Sequence, residues 1–336
     1  MPVHPYKLLR AVRPGERDIT RPIRVGDPPR RPMLPLPPRW PIVHPPVTPT
    51  PQRRYPWRSM TLCIAASAGA DRISLFSDNR IILAFDRKIG PAYASAEIGY
   101  KMAWLNHEWA ALYAAEDVSI AQELIGVYKE HLDGWSTAGM SDDAVMETLR
   151  HPPLVLKQRR GENYVQSAFG ITYANLLEPG RVEIPESQRQ QILNEVAYTH
   201  HRLGCQLIIA GFVGDNPRFF FFDGLQPSGP AELTRRDHFI AIGVGAEIAE
   251  ANLYRRKHES RVPLELALYH VYESQRIGQV ASSVGREIVI AVLEPGKSSV
   301  KAFDVAESGM RFLEKQFKKF GQRRPSISTL PDGFFH

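Results

Sequence analysis

The proline content of this chain changes abruptly near residue 60. Of the 28 prolines in the 336-residue sequence, 16 lie within residues 1–59. Proline fixes one backbone angle and removes a backbone donor, so proline at this density disfavours both helix and sheet. We therefore expect residues 1–59 to be a disordered Pro/Arg-rich segment, and expect a single domain to be built from residues 61–320.

Two origins of the Pro/Arg-rich segment are consistent with its composition. It could be a propeptide or docking tail, or it could be upstream sequence translated ahead of a true start at Met60. The second origin is favoured because ordered sequence begins directly after Met60. A second disordered tail is expected over residues 321–336, which are polar and rich in Ser, Pro and Arg.

The basic charge of the chain is concentrated in the Pro/Arg-rich segment. Residues 1–60 carry twelve Lys and Arg against three Asp and Glu, whereas the remainder carries 30 against 33. A nucleic-acid-binding fold would place its basic stripe on the folded part, which here is slightly acidic. We therefore expect no nucleic-acid partner.

Cysteine usage and hydropathy indicate a reduced, cytoplasmic protein. Cys63 and Cys205 lie far apart in the sequence, each within an apolar run, which is neither a disulfide framework nor a metal-ligand spacing. No apolar stretch has the length of a membrane span. We expect no membrane partner, no metal and no cofactor.

Strand and helix patterns occur in separate blocks along the folded part. Apolar runs predict strands at 61–67, 73–78, 101–105 and 109–114, followed by a helix from Asp117 and helical stretches at about 142–150, 163–177 and 186–202. Strands then return from Cys205, followed by helices, two further strands and a last helix. This segregation predicts an α+β fold, with a helical insertion at about 140–202.

Three residues of the predicted strands carry the chemistry. Thr61 begins the first strand, Asp78 ends the second and Lys101 begins the third. Ends of neighbouring strands lie within side-chain reach of one another, so we expect these three side chains to converge on one sheet edge.

Around these residues the sequence resembles the proteasome β-subunit family of N-terminal-nucleophile (Ntn) hydrolases and its bacterial homologues. The resemblance rests on Met-Thr-Leu-Cys-Ile-Ala at 60–65, Ser-Asp-Asn-Arg at 77–80, Tyr-Lys-Met-Ala-Trp-Leu-Asn at 100–106 and Ala-Leu-Tyr-Ala-Ala-Glu-Asp at 111–117. It implies a four-layer α-β-β-α sandwich and a threonine-type peptidase that cleaves amide bonds in a peptide or protein substrate. It also implies a homo-oligomeric ring and an unfoldase partner.

The chemistry of such a site explains the residue types. A threonine hydroxyl needs a base, and the α-amine of a first residue, with a pKa of about 8, can serve near neutral pH. Lys101 would favour the neutral amine by charge repulsion, and Asp78 would balance the lysine. Cys63 would be the competing nucleophile, but it lies inside a strand and is expected to belong to the core.

Further roles follow from the resemblance alone. The backbone N–H of Ala115 would stabilise the oxyanion, and Ser282 or Ser283 would support the site. Arg80 is singled out by its place just past Asp78 and not by the resemblance: it would either help to hold the loop expected between Asn79 and Gly99 or be an exposed surface arginine, and the second interpretation is favoured. The sequence departs from the family where Ala115 replaces a glycine. Another departure is Val244, which stands where the family has a serine.

Two alternatives stay open, and the departures at Ala115 and Val244 favour the second of them. One is an Ntn-type amidase that acts on a small molecule, and the other is an assembly protein that keeps the fold without the activity. Substrate preference, ring size and the choice between Met1 and Met60 as the start are not determined by the sequence.

Overall fold

The computed structural model describes residues 61–69, 79–87, 100–178, 180–181, 183–225, 232–281, 284–296, 299–321 and 330–335. They belong to one compact unit, Arg54–His336. The expected Pro/Arg-rich segment, the strand expected at 73–78 and most of the expected tail at 321–336 lie outside the described residues.

Ten strands and seven α-helices are present in these ranges, which makes the protein a mixed α/β fold with two antiparallel sheets. The strands are β1 (Leu62–Ala68), β2 (Arg80–Asp86), β3 (Met102–Trp104), β4 (Trp109–Ala115), β5 (Cys205–Val213), β6 (Asn216–Asp223), β7 (Glu232–Arg236), β8 (Phe239–Gly243), β9 (Ile288–Glu294) and β10 (Lys301–Asp304). The helices are α1 (Val118–Leu132), α2 (Asp142–Phe169), α3 (Tyr173–Leu177), α4 (Glu186–Glu195), α5 (Ala246–Arg255), α6 (Leu264–Gly278) and α7 (Glu307–Phe320), with a π-helical turn at Val196–His200.

The first sheet has the strand order β10-β9-β2-β1-β8 and the second has the order β3-β4-β5-β6-β7. All of the pairings are antiparallel. In the first sheet β1 lies between β2, which is the next strand of the chain, and β8, which is distant in sequence.

Apolar side chains alternate between the two faces of each sheet, as the pleat requires. Cys63 and Ala65 of β1 join a buried cluster that also contains Ala110 and Leu112 of the second sheet. Leu62 and Ile64 point to the other face and pack in a cluster with residues of α5, α6 and α7.

The second sheet is covered on its other face by α1 and the first half of α2. Asp117 caps the start of α1 by accepting a hydrogen bond from the Ser119 amide, and the helix then buries an apolar face that includes Leu124 and Tyr128. The α+β expectation is therefore confirmed at the level of mixed sheets and helices.

Strand β2 corrects one prediction made from the sequence. The stretch after Asn79 was expected to be a loop, but it forms the seven-residue strand Arg80–Asp86. The run Ile81–Phe85 is apolar at every position because this strand lies inside the sheet and is buried on both faces.

Helix α2 corrects a second prediction. Separate helical stretches were expected at about 142–150 and 163–177, but one helix continues through Pro152 and Pro153 to Phe169. Leu149 and Leu156, on either side of the two prolines, pack in the same buried cluster. Burial of one continuous face therefore outweighs the local preference of proline to interrupt a helix.

The region expected to be an insertion, at about 140–202, divides into two parts. The first half of α2 packs against the second sheet, as described above. The remainder forms a smaller cluster of its own around Val165, Tyr173 and Ile192.

In the described ranges, no helix combines the length and apolar character that crossing a membrane would require.

Candidate active site

Thr61 lies immediately before β1 and is only 4% exposed. Its carbonyl oxygen accepts a hydrogen bond of 2.9 Å from the backbone N–H of Val244. Gly243 packs so closely against this carbonyl that a Cβ atom at position 243 would lie 2.1 Å from the oxygen. The backbone of Thr61 is thus held against the end of β8.

The side chain of Thr61 contacts one cation and one carboxylate. Lys101 Nζ donates hydrogen bonds both to Thr61 Oγ1 and to Asp86 Oδ1. Thr61 Oγ1 also lies 3.3 Å from each carboxylate oxygen of Asp86. The hydroxyl, the ammonium and the carboxylate therefore form one closed triangle of polar contacts.

Asp86 reaches Thr61 because of the register between β1 and β2. Cys63 pairs with Phe85, so the next residue of β2 lies level with the first residue of β1. Asp86 Oδ2 accepts a hydrogen bond of 2.8 Å from the backbone N–H of Leu62. The carboxylate thereby satisfies a backbone group at the head of β1.

Lys101 comes from the second sheet, just before β3. Its carbonyl oxygen accepts a hydrogen bond of 3.2 Å from the Tyr113 amide in the neighbouring β4. The side chain then extends to the first sheet, where it meets Asp86. The site therefore lies where the two sheets face each other, and neither sheet alone contains it.

The triangle is almost completely removed from solvent. Lys101 is 4% exposed and Asp86 is fully buried. A buried charge is tolerated only when an opposite charge and hydrogen bonds compensate its lost hydration. Each of these two charges has the other as its compensating partner.

Cys63 follows two residues after Thr61 but has a different environment. Burial raises the pKa of its thiol to about 12, against the opposing effect of the nearby Lys101 charge. Its Sγ donates to the carbonyl oxygen of Tyr113 at 3.5 Å. A buried thiol with a raised pKa is a poor nucleophile, in agreement with the expected core position.

Two of the three residues expected to form the site are brought together. Thr61 and Lys101 are in contact, whereas Asp78 lies outside the described residues. The carboxylate that contacts both of them is that of Asp86, which the sequence interpretation missed. The signal available in the sequence was a single acid that ends the apolar run Ile81–Phe85, a position typical of the end of a buried strand.

One of the expected supporting residues, Arg80, lies away from Thr61. Arg80 pairs with Ala68 at the opposite end of β1 from Thr61 and forms an ion pair with Glu294, with 2.6 Å between Nε and Oε1. Arg80 is therefore part of a strand, and its role in holding the loop stays a prediction. Ala115 ends β4 opposite Cys205 in the second sheet, and its oxyanion role stays a prediction. Ser282 and Ser283 lie outside the described residues.

Two glutamines that the sequence interpretation did not consider also border the site. Gln275 of α6 donates a 3.0 Å hydrogen bond to the carbonyl oxygen of Leu62. Gln206 of β5 accepts a 3.2 Å hydrogen bond from the backbone N–H of Gly243. Both contacts are to backbone atoms adjacent to Thr61, so they hold the site without touching its hydroxyl.

The arrangement offers a hydroxyl, a cation and a carboxylate, but no cluster of metal ligands. Across the described ranges, His, Cys, Asp and Glu residues do not form a group of three or more that could hold a metal ion.

No protein-family model matches the sequence, and no curated protein is significantly similar to it.

Proposed function

We propose that this protein is a threonine-type Ntn hydrolase that cleaves amide bonds, with Thr61 as nucleophile once the residues before it have been removed. The observation that carries the proposal is the contact of Thr61 Oγ1 with both Lys101 and Asp86 at the buried head of β1. A threonine that merely began a strand would need neither a buried cation nor a buried carboxylate.

The reaction requires a free α-amine on Thr61. The neutral amine accepts the proton of Oγ1, and Oγ1 attacks the carbonyl carbon of the amide to form a tetrahedral oxyanion. The resulting ammonium group donates its proton to the leaving amine as the carbon–nitrogen bond breaks, which leaves an ester on Thr61. Water, deprotonated by the same amine, then hydrolyses the ester and releases the acid.

Lys101 and Asp86 adjust the electrostatics of this sequence of steps. The positive charge of Lys101 beside the amine favours the neutral, basic form of that amine. It also stabilises negative charge that develops on Oγ1 as its proton leaves. Asp86 contacts Lys101 directly, and its negative charge compensates the buried positive charge of the lysine.

The packing supports a four-layer α-β-β-α arrangement for this enzyme. One buried cluster joins the facing surfaces of the two sheets, a second joins the first sheet to α5–α7, and a third joins the second sheet to α1 and α2. Together with the resemblance to proteasome β-subunits, this arrangement favours a peptide or protein substrate and a homo-oligomeric ring served by an unfoldase.

The test combines the mature N-terminus with hydrolysis. The protein is purified from its native host, its N-terminus is determined by intact mass, and it is assayed on fluorogenic peptides and on small acylated amines. We expect a mature terminus at Thr61 and peptide hydrolysis. If small acylated amines are cleaved faster than any peptide, the protein is a small-molecule amidase and not a peptidase.

Two variants identify the nucleophile. Thr61→Ala is expected to abolish hydrolysis, whereas Thr61→Ser retains part of it because the hydroxyl is kept. Ser67→Ala is the matched control, since it removes a buried hydroxyl from the strand that follows Thr61, one that donates to the His238 carbonyl away from the site. Hydrolysis that survives in Thr61→Ala, or a native chain that retains Met60, would overturn the proposal.

One observation favours a second candidate, a non-catalytic assembly protein. Val244 supplies only a backbone N–H to Thr61, and the side chain at this position carries no hydroxyl that could support proton transfer. A protein with a mature Thr61 terminus that assembles into a ring but hydrolyses neither substrate class would support this candidate over the hydrolase.

A further inference from the structure

Gln275 is an uncharged polar residue in the most buried part of α6. Its side chain is fully buried, in a helix that otherwise presents mainly apolar residues to the first sheet. Nε2 donates to the Leu62 carbonyl oxygen at 3.0 Å, while Oε1 has no hydrogen-bond partner among the described residues. A buried amide oxygen without a partner is unfavourable, so packing alone would favour an apolar side chain at this position.

The hydrogen bond from Gln275 is one of two side-chain contacts to the backbone of Leu62 among the described residues. The N–H of Leu62 is held by the side chain of Asp86, and its carbonyl oxygen is held by the side chain of Gln275. Both backbone groups of the residue that follows Thr61 are therefore bound by side chains. One comes from the neighbouring strand and the other from a helix that is distant in sequence.

The same helix also fixes the side chain of Leu62. Gly278 lies three residues after Gln275, and therefore on the same helical face. A Cβ atom at position 278 would lie 2.3 Å from Leu62 Cδ2, so the glycine leaves the space that this side chain occupies. The last turns of α6 thus contact both the main chain and the side chain of Leu62.

We propose that Gln275 is a positioning residue for Thr61, which acts by holding the Leu62 carbonyl so that the hydroxyl and the α-amine of Thr61 keep a fixed geometry beside Lys101. This inference rests on the proposed hydrolase function. Gln275 makes no contact with Thr61 Oγ1 among the described contacts, so it is not a catalytic residue. Its effect is on orientation, to which rates of positioned reactions are sensitive.

The test uses two variants and one control in the protein purified from its native host. Gln275→Met keeps the length of the side chain but removes the donor, and Gly278→Ala displaces the side chain of Leu62 from the same face of α6. Ser274→Ala is the control, because Ser274 is equally buried in α6 but bonds Asn252 and not β1. Each protein is measured for kcat, KM and hydrogen exchange of the peptide 61–69.

We expect Gln275→Met to lower kcat by roughly tenfold with KM unchanged, as loss of one positioning hydrogen bond predicts. Amide exchange at the head of β1 should accelerate in Gln275→Met and Gly278→Ala but not in Ser274→Ala. An unchanged kcat in Gln275→Met, or equal exchange in all three variants, would overturn the inference. Should Gln275→Met not fold, Gly278→Ala decides by the same two measurements.

The two proposals fail in different ways. A wild-type protein without hydrolytic activity would contradict the proposed function, and the exchange measurement would still decide whether Gln275 holds Leu62. A wild-type protein that hydrolyses peptides, together with a Gln275→Met variant of equal kcat, would leave the hydrolase intact and remove the positioning role.

Discussion

The carboxylate of Asp86 accepts a 2.8 Å hydrogen bond from the backbone N–H of Leu62, which ties the last residue of β2 to the first residue of β1. The same carboxylate contacts Lys101. One side chain therefore fixes both the strand that carries Thr61 and the cation beside its hydroxyl. Loss of Asp86 should consequently affect structure and reactivity together.

Asp86→Asn and Asp78→Asn should have different effects on activity. Asp86→Asn keeps the shape but removes the charge that compensates Lys101, and we expect hydrolysis to fall by about 100-fold or more, as for other losses of electrostatic preorganisation. Asp78→Asn should stay near the wild-type rate, because Asp86 already supplies the carboxylate at Lys101. Rates on one fluorogenic peptide compare the two, and a larger loss in Asp78→Asn would restore Asp78 to the site.

The buried ion pair should show strong coupling in a double-mutant cycle. Lys101→Met and Asp86→Leu each leave a buried charge without its partner, which costs about 3–5 kcal/mol, whereas the double variant leaves neither charge. Free energies of unfolding from urea denaturation provide the measurement. The pair Arg80–Glu294, whose side chains are 24% and 32% exposed, is the control and should couple by no more than about 1 kcal/mol. Additive effects at Lys101 and Asp86 would show that the pair is not formed.

Gly243→Ala should disrupt the site through a steric clash. Gly243 has a φ of +93°, and its added Cβ would lie 2.1 Å from the carbonyl oxygen of Thr61. Gly134→Ala controls for backbone strain, since Gly134 has a φ of +67° but no atom within 4 Å of the added Cβ. The control should lose about 1 kcal/mol of unfolding free energy, and Gly243→Ala should lose clearly more and lose hydrolysis. Equal losses in the two variants would contradict the clash.

Cys63 should be dispensable for catalysis. Its thiol is buried with a pKa raised to about 12, so iodoacetamide should not modify it in the folded protein at neutral pH. Cys63→Ala should retain most of the hydrolytic activity and lose some stability through the small cavity that it creates. Intact mass after iodoacetamide treatment, with urea-unfolded protein as the positive control, checks the first expectation. Rapid labelling of the folded protein at Cys63 would make the thiol a competing nucleophile again.

The stability of the protein should decrease in mild acid because of His258. Burial lowers the pKa of His258 to about 4, although its contact with the Ser67 carbonyl opposes the shift. Below pH 6.5 the unfolded state takes up a proton that the folded state does not, so the unfolded state gains stability as pH falls. The free energy of unfolding should decrease by up to about 3 kcal/mol between pH 6.5 and pH 4 from this group alone.

The variant His258→Gln isolates this contribution. Glutamine cannot take up the proton, so the acid-induced loss between pH 7 and pH 5 should be smaller than in the wild type. His201, whose pKa is also lowered to about 4 by burial, titrates in both proteins and therefore cancels in the comparison. Urea unfolding at pH 7, 6 and 5 gives the slopes, and equal slopes would exclude His258 as the cause.

Local sequence patterns were sufficient to predict several elements of the fold. The apolar run after Thr61, the pair of strands around Trp109 and the helix that Asp117 caps are all present as expected, because periodicity and capping act over a few residues. The places of Thr61 and Lys101 at strand ends also predict that the two residues are neighbours, and Lys101 Nζ donates a hydrogen bond to Thr61 Oγ1.

The carboxylate that joins Thr61 and Lys101 depends on long-range packing. Asp86 reaches Lys101 because β2 pairs with β1 in one register, and a register is set by long-range pairing that the sequence does not display. The same applies to Gln275, which meets Leu62 from 213 positions away. Local patterns specify strands and helices, whereas a site assembled from two sheets and a helix depends on how those elements pack.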